Sequence, residues 1–339
     1  MEFKALDNNF NLLDIIVSSN IQWNRKYYTV GDFEIEIPMI DYDSNMKYIY
    51  CPQRPEVGMI QKVANSQKNI LLSGYFLERK MFDKIVYPTF YGRGDISDVC
   101  INMINQFKED IPINSIQKRE SGSNVDFQAT GDELGRKLYE VLQTQEMSYK
   151  VTYDYVNGKI NLIIYKGDDK TQDSGVDDPV TFSTSWNNLS DIELNVDNSN
   201  FKNYFVVAGT GQADERITVD VDLSNGTYKQ KLFVDERNTK YNPDEQTLDG
   251  YKAELRQKGL EKALDYEVIE NVSFKVDPTS YEYMVDYDLG TKVDTVITEL
   301  NMAFETRITE IHEVFKDGLH LIEVEVGNPV KKKFQNIRI

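Results

Sequence analysis

Between Asp32 and Pro38 the chain alternates strictly, with Phe33, Ile35 and Ile37 set against Asp32, Glu34 and Glu36. A period of two sends the apolar side chains to one face and the carboxylates to the other, so the stretch predicts a half-buried antiparallel strand. Ahead of it, WNRKYY, Trp23 to Tyr28, mixes aromatics with Arg25 and Lys26, and Gly31-Asp32 supplies turn chemistry. The two stretches read as a first β-hairpin, with a ligand-stacking aromatic platform as the alternative. Ile15 to Val17, Met59 to Val63 and Ile70 to Tyr75 are further strands, broken by Pro38, Pro52, Pro55 and Gly58, and residues 1–88 show no convincing helical stripe.

After Tyr87-Pro88 the period changes. Ile96, Val99, Cys100, Met103, Ile104 and Phe107 fall at helical spacing, with Asp95 or Ser97 as N-cap and Pro112 as the stop. A second helix is expected from Thr130, where Thr130-x-x-Glu133 has the form of a capping box ahead of Leu134, Leu138, Val141 and Leu142. Val151, Tyr153 and Tyr155 then lead into Asn157-Gly158, the signal for a two-residue turn, and Ile160, Leu162 and Ile164 return from it. Residues 89–178 therefore read as a helix, helix, hairpin unit that ends in a solvated linker, Gly167 to Pro179.

Residues 179–339 return to strands: Phe205 to Ala208, then Ile217, Val219 and Val221 turning at Asn225-Gly226 and coming back through Tyr228 and Leu232. Tyr251 to Tyr266 interrupts them as a helix, in which Gly259 should cost about 1 kcal/mol. Tyr287 to Gly290 forms a turn, and Arg307 to Val326 a last hairpin about Asp317-Gly318. Whether strands from 180–240 return to the first block is left open by the pattern. The class is mainly β, α+β.

The 339 residues leave room for about two or three domains. A formal net charge of -18 argues against gripping nucleic acid by its phosphates, although an acidic wall lets DNA slide past. The first residues, MEFKALDNNFNLLDIIV, lack both an export signal and an apolar run of membrane-spanning length, so no stable membrane anchor is expected. Cys51 and Cys100 have no Cys-x-x-Cys spacing, which fits synthesis in a reducing cytoplasm.

No catalytic motif is complete in the sequence. His312-Glu313 opens like a zinc-protease motif, but Lys316 stands where the second histidine belongs. With a two-residue turn at Asp317-Gly318, His312 pairs with Glu323 and His320 with Phe315, roughly 10 Å apart along the ladder and too far to share one metal. Gly92-Arg93-Gly94-Asp95 and Gly209-Thr210-Gly211 read as turns, not phosphate cradles, and neither cysteine has a histidine nearby in sequence to activate it. With 56 acidic residues, carboxylate pairs arise everywhere and single out none. The expectation is a protein that is not an enzyme, with no catalytic, cofactor-binding or metal residues.

WNRKYYTVGDFEIEIP, Tyr87-Pro88, FKNYFVVAGTG at 201–211, ELRQKGLEKALDY at 254–266 and DYDLGTKV at 286–293 occur in that order. Together they resemble the siphovirus Gp37-like proteins of phage tails, related in architecture to baseplate hub or tail-associated proteins. The resemblance implies two tail-tube-like antiparallel β-barrels, residues 1–88 and 179–339, separated by the inserted α/β unit and assembled as a homotrimer. Such a trimer would close the tail tube at the baseplate or tail tip of the virion, adapt six-fold to three-fold symmetry and pass DNA through its lumen. Its implied partners are the distal tail protein, the tail tube, the tape-measure protein and a tip fibre or spike. After Val330-Lys331-Lys332-Lys333-Phe334 there is no room for a lysozyme or peptidase domain, so wall cleavage is expected from another chain. A rival reading is a glycan-binding or glycan-cleaving β protein of the tail tip that stacks sugars on Trp23 and Trp186.

Overall fold

The computed structural model describes residues 2–17, 20–66, 68–244, 246–266, 269–277, 279–316 and 318–331. The first block holds β1 (Phe3–Leu6), β2 (Leu12–Ile16), β3 (Asn20–Lys26), β4 (Asp32–Pro38), β5 (Tyr48–Tyr50), β6 (Val57–Ser66) and β7 (Asn69–Phe76). The expected first hairpin is β3 and β4: Ile21 pairs with Ile35, Trp23 with Phe33, and both strands alternate buried with half-buried positions. Trp23 is fully buried against Phe3, Phe33 and Phe76, so it holds the core together and leaves no ring for a ligand.

The middle block holds β8 (Phe90–Asp95), α1 (Ile96–Phe107), β9 (Ser115–Lys118), β10 (Asn124–Ala129), α2 (Leu134–Gln143), β11 (Ser148–Asp154) and β12 (Lys159–Tyr165). Asp95 caps α1 by accepting from the amides of Ser97 and Asp98. The second helix starts later than the capping box predicts. Gly131 sits at φ +80° and Thr130 turns its hydroxyl to Thr89, which uses up the expected cap, and Glu133 takes the N-cap position without a side-chain bond. The β11–β12 loop also departs from the expected two-residue turn: Asp154 pairs with Lys159, and its carboxylate accepts from Asn157 across a four-residue connection.

The last block holds β13 (Thr181–Ser183), β14 (Leu189–Asp197), β15 (Tyr204–Ala208), β16 (Thr218–Asp222), β17 (Lys231–Asp235), α3 (Leu248–Leu264), β18 (Ile269–Val276), β19 (Lys292–Ile297), β20 (Met302–Lys316) and β21 (Leu319–Lys331). Asn225 and Gly226 both take positive φ, as the turn signal requires, yet β16 and β17 are not partners. They flank β15 on opposite edges, β17 running parallel to it, because Phe205, Val207, Val219, Val221 and Val234 must all face α3. The Gly167 to Pro179 stretch is docked and not a solvated linker: Thr171 is buried, and the amide of Gln172 donates to Asp294 at 2.8 Å. In the last hairpin, whose turn residue Asp317 lies outside the described residues, Phe315 pairs with His320 and His312 with Glu323, as the two-residue turn predicts. Lys332 to Phe334 also lie outside them.

The fold is mainly β, α+β, and largely antiparallel. One sheet runs β14-β18-β21-β20-β3-β4-β7-β6-β5-β1-β2, with β19 and β13 branching from β20. It curls twice. In the first lobe Phe3 of β1 meets Trp23 of β3 and Phe315 of β20. In the second, Phe182 of β13 meets Phe274 of β18. Each curl wraps its own apolar core, and the hydrogen-bonded path stays open, ending at β2 and β14. The strand that joins the first block's sheet is β20, through β3.

Gly259 has a packing reason in place of the expected cost. A Cβ there would fall 2.7 Å from methyl groups of both Val207 and Val221, so α3 lies against its sheet only because the side chain is missing. Gly259→Ala, which would stabilise a free helix by about 1 kcal/mol, should instead destabilise this protein by about 1–3 kcal/mol. Urea unfolding of the variant checks the sign.

Candidate functional site

Two features stand out: a buried cluster of charge where the lobes meet, and a polar face that crosses both. The cluster begins with Arg25, on the inward side of β3 between Trp23 and Tyr27. Its Nε donates to Glu56 at 2.8 Å, and one Nη reaches Tyr283 at 2.7 Å and Asp288 at 2.5 Å. A second guanidinium, Arg54, grips Glu313 of β20 with two nitrogens, Nε at 2.6 Å. Tyr283 joins the halves by donating to Glu313 at 3.1 Å, and His320 Nε2 lies 3.1 Å from the other Glu313 oxygen. Burial alone would raise the carboxyls of Glu313 and Asp288. Hydrogen bonds from Arg54 and His320 hold Glu313 below its ordinary value, and the charge and hydrogen bond of Arg25 do the same for Asp288.

Tyr27 extends the junction to the middle block. Its hydroxyl donates to the Glu146 carbonyl at 3.1 Å and accepts the Gly167 amide at 3.0 Å, and its ring fills the space where a Cβ on Gly290 would stand. Glu78 lies beside this cluster, buried, accepting from the Val151 amide at 2.7 Å. Burial pushes its carboxyl up to about 7, against the opposing Val151 amide and the charge of Lys150.

The polar face follows from register. Across the ladders Ser190 lies beside Lys275, then Glu323, His312, Asn24 and Asp32 in one row. A neighbouring row runs Glu193, Ser273, Glu325, Glu310 and Lys26. Gln22, Glu34 and Ser73 continue a third. Residues on this side are mostly half-buried or exposed, while the opposite side supplies both lobe cores. Carboxylates outnumber lysines along it.

His312 and Glu313 point to opposite faces, one polar and one buried, and it is His320 that approaches Glu313. Asp95 accepts from Ser97, Asp98 and Gly122, so the α1 N-terminus already holds a carboxylate. Gly209 packs against Tyr251, whose hydroxyl accepts the Thr210 amide at 2.8 Å; this is a turn stitched to α3. Both cysteines are buried free thiols, and burial raises each. A cleft of about 310 Å³ between α2, α3 and the second lobe carries Arg307 paired to Glu146 at 3.0 Å and Lys292 to Glu305 at 2.5 Å. Among the described residues no helix is long and apolar enough to cross a membrane. The charged junction was missed in the sequence because partners such as Arg25 and Asp288 lie hundreds of positions apart; Arg25 inside an aromatic strand was its one signal.

Residues 100–328 match the family model described as Siphovirus ReqiPepy6 Gp37-like protein. No curated protein matches the chain. Among solved structures, the tail protein from Neisseria meningitidis MC58 is similar with a TM-score of 0.64 at 10% identity, covering 96% of each chain. The 43 kDa tail protein of prophage MuSo2 from Shewanella oneidensis gives 0.59 at 14% identity, over 96% of this chain and 98% of that one. Prophage tail protein gp18 from Listeria monocytogenes EGD-e gives 0.57 at 12% identity, over 97% and 94%. These likenesses show a shared fold.

Removing the charge of Glu313 strands Arg54 in the interior. Glu313→Gln should cost about 3–5 kcal/mol at pH 7, read by urea unfolding. Because the folded carboxyl sits below its ordinary value, that difference is present above the ordinary carboxylate pKa and shrinks as the pH falls through the folded value. Glu78 has the opposite sign: its pKa is raised from 4.5 to about 7, so its ionisation weakens the fold as the pH rises across that range. Glu78→Gln should therefore be more stable than the parent at pH 8, by about 3 kcal/mol at most, with the gap closing towards pH 5.

Proposed function

Because the chain belongs to the Siphovirus ReqiPepy6 Gp37-like family, we propose that it is a structural phage tail protein that forms a homotrimeric hub at the baseplate or tail tip. The observation that carries this reading is the acidic face shared by both lobes. Two tube-like lobes per chain make six around a three-fold axis, enough to match a six-fold tube on one side and a three-fold tip on the other. With the acidic face turned inward, the bore repels duplex DNA, its carboxylates outnumbering lysines such as Lys26 and Lys275, which are paired with Asp32 and Asp191, and this suits passage without binding.

The lobes correspond to residues 1–88 and 179–339, with β20 and β21 shared at the junction, and residues 89–178 form the inserted unit. Subunit contact falls to the exposed apolar side chains of the terminal strand β2, where Leu12, Leu13 and Ile15 stand in solvent on an uncovered sheet edge. An edge of that kind invites pairing with another chain. Axial partners are the tail tube, the distal tail protein, the tape-measure protein and a tip fibre or spike. The protein resides in the virion tail after synthesis in the host bacterial cytoplasm, and it has no catalytic role.

A reconstruction of the purified protein or of the tail tip tests the reading. The expected result is a trimer whose bore is lined by Glu34, Glu323 and Glu325. A particle with that face turned outward refutes it. As a second arm, Glu34→Lys, Glu323→Lys and Glu325→Lys combined should leave the fold intact and create salt-sensitive binding to duplex DNA that the parent lacks.

A further inference from the structure

At the centre of the polar face, Glu310, His312 and Glu325 bring one ligand atom each to within 4.8 Å of one another. The spacing has a backbone cause. A register shift between Ile308 and Glu310 leaves Thr309 as the extra residue and sets Glu310 directly opposite Glu325, with His312 two residues on along the same face. Opposed carboxylates on neighbouring strands repel. Burial raises both carboxyls, and the charge of Glu310 raises Glu325 further. Lys26 lies opposite Glu310 on β3, but its ammonium is engaged by Asp32 at 3.0 Å. Among the described residues no hydrogen-bond donor reaches the Glu325 carboxylate.

The imidazole is aimed from outside this group. Asn24 donates its amide nitrogen to Asp32 at 2.7 Å, which turns its Oδ1 towards His312 Nδ1 at 3.1 Å. An amide oxygen only accepts, so Nδ1 carries the proton, and in the neutral ring it is Nε2, 3.4 Å from Glu310, that offers the lone pair. A second-sphere acceptor on one ring nitrogen is how a ligating histidine is held in the right tautomer.

We propose that Glu310, His312 and Glu325 form a binding site for a divalent first-row cation, zinc above all, clasping β20 to β21 at the bulge where the lobes meet. One imidazole and two carboxylates suit zinc, and three protein ligands leave a fourth position for water. Zinc bonds of about 2.0–2.2 Å put tetrahedral ligand atoms about 3.5 Å apart. The side chains therefore close by about 1 Å on the ion, a rotamer adjustment at half-buried positions.

The site is independent of the assembly proposed above, so it is tested on the isolated protein without a histidine tag. Calorimetric titration with zinc chloride should give one equivalent per chain, and cobalt chloride should give the visible absorption of a low-symmetry site. His312→Ala and Glu325→Gln should each weaken zinc at least tenfold, with circular dichroism showing the fold retained. His320→Ala, on the other side of the sheet, should bind as the parent does, and Asn24→Ala should lose about tenfold through the imidazole it orients. Absence of stoichiometric uptake by the parent, or parental affinity in either ligand variant, overturns the proposal and leaves His312 and Glu310 as an ordinary ion pair.

Discussion

The lobes are held in one arrangement by charge that has been taken out of water. Arg25, Arg54, Glu56 and Glu313 are all buried, and they come from β3, from the segment between β5 and β6, and from β20, with Tyr283 and Asp288 closing the group from the loop before β19. Desolvating such ions costs several kcal/mol each and is repaid only when every partner is present with good geometry. The cluster is therefore stable when segments from both ends of the chain have come together and costly at any earlier stage. That makes it a check on the relative placement of the two lobes, where apolar contacts alone would tolerate sliding.

One strand carries this arrangement. β20 contributes Ile308 and Ile311 to the second lobe's core and Phe315 to the first, and Glu313 falls between them at the junction. Strict alternation would put Ile308 and Ile311 on opposite faces. The extra residue at Thr309 reverses the parity, so both point inward, and the same reversal brings Glu310 opposite Glu325 on the outer face. A single bulge thus serves the core and sets two carboxylates directly opposite each other on the polar face.

Much of this was legible where the information is local. The alternation around Phe33, the Asp95 cap and the register of the last hairpin are set by neighbours a few residues away, and each is found as read. What was illegible depends on distant partners. Thr130 is a good cap in isolation but is taken up by Thr89, and the return from Asn225-Gly226 is steered to the far edge of β15 by an apolar face that exists only once α3 is docked. Gly259 looks like a defect in a helix until Val207 and Val221 are placed beneath it. Of the three residues of the cation group, His312 was set aside in the sequence for want of a second histidine; Glu325 needed the register, and Asn24 needed the pairing of β20 with β3.

The acidic face makes physical sense only at the level of the whole sheet. A surface shaped for solubility alone intersperses both signs, whereas here carboxylates recur from Glu193 in the second lobe to Glu36 in the first, separated mainly by Asn, Ser and Gln side chains. The neutral spacers keep neighbouring charges diagonal, so the repulsion between them is mild except at Glu310 and Glu325. A face of that design costs little within one chain. Its field grows when copies bring such faces around a common axis, where low-dielectric walls focus the potential and a polyanion in the bore meets an excess of like charge. Arg25 and Arg54 are on the other side of the sheet with their charge spent on Glu56, Asp288 and Glu313, and on the face itself Lys26 is paired with Asp32 and Lys275 with Asp191.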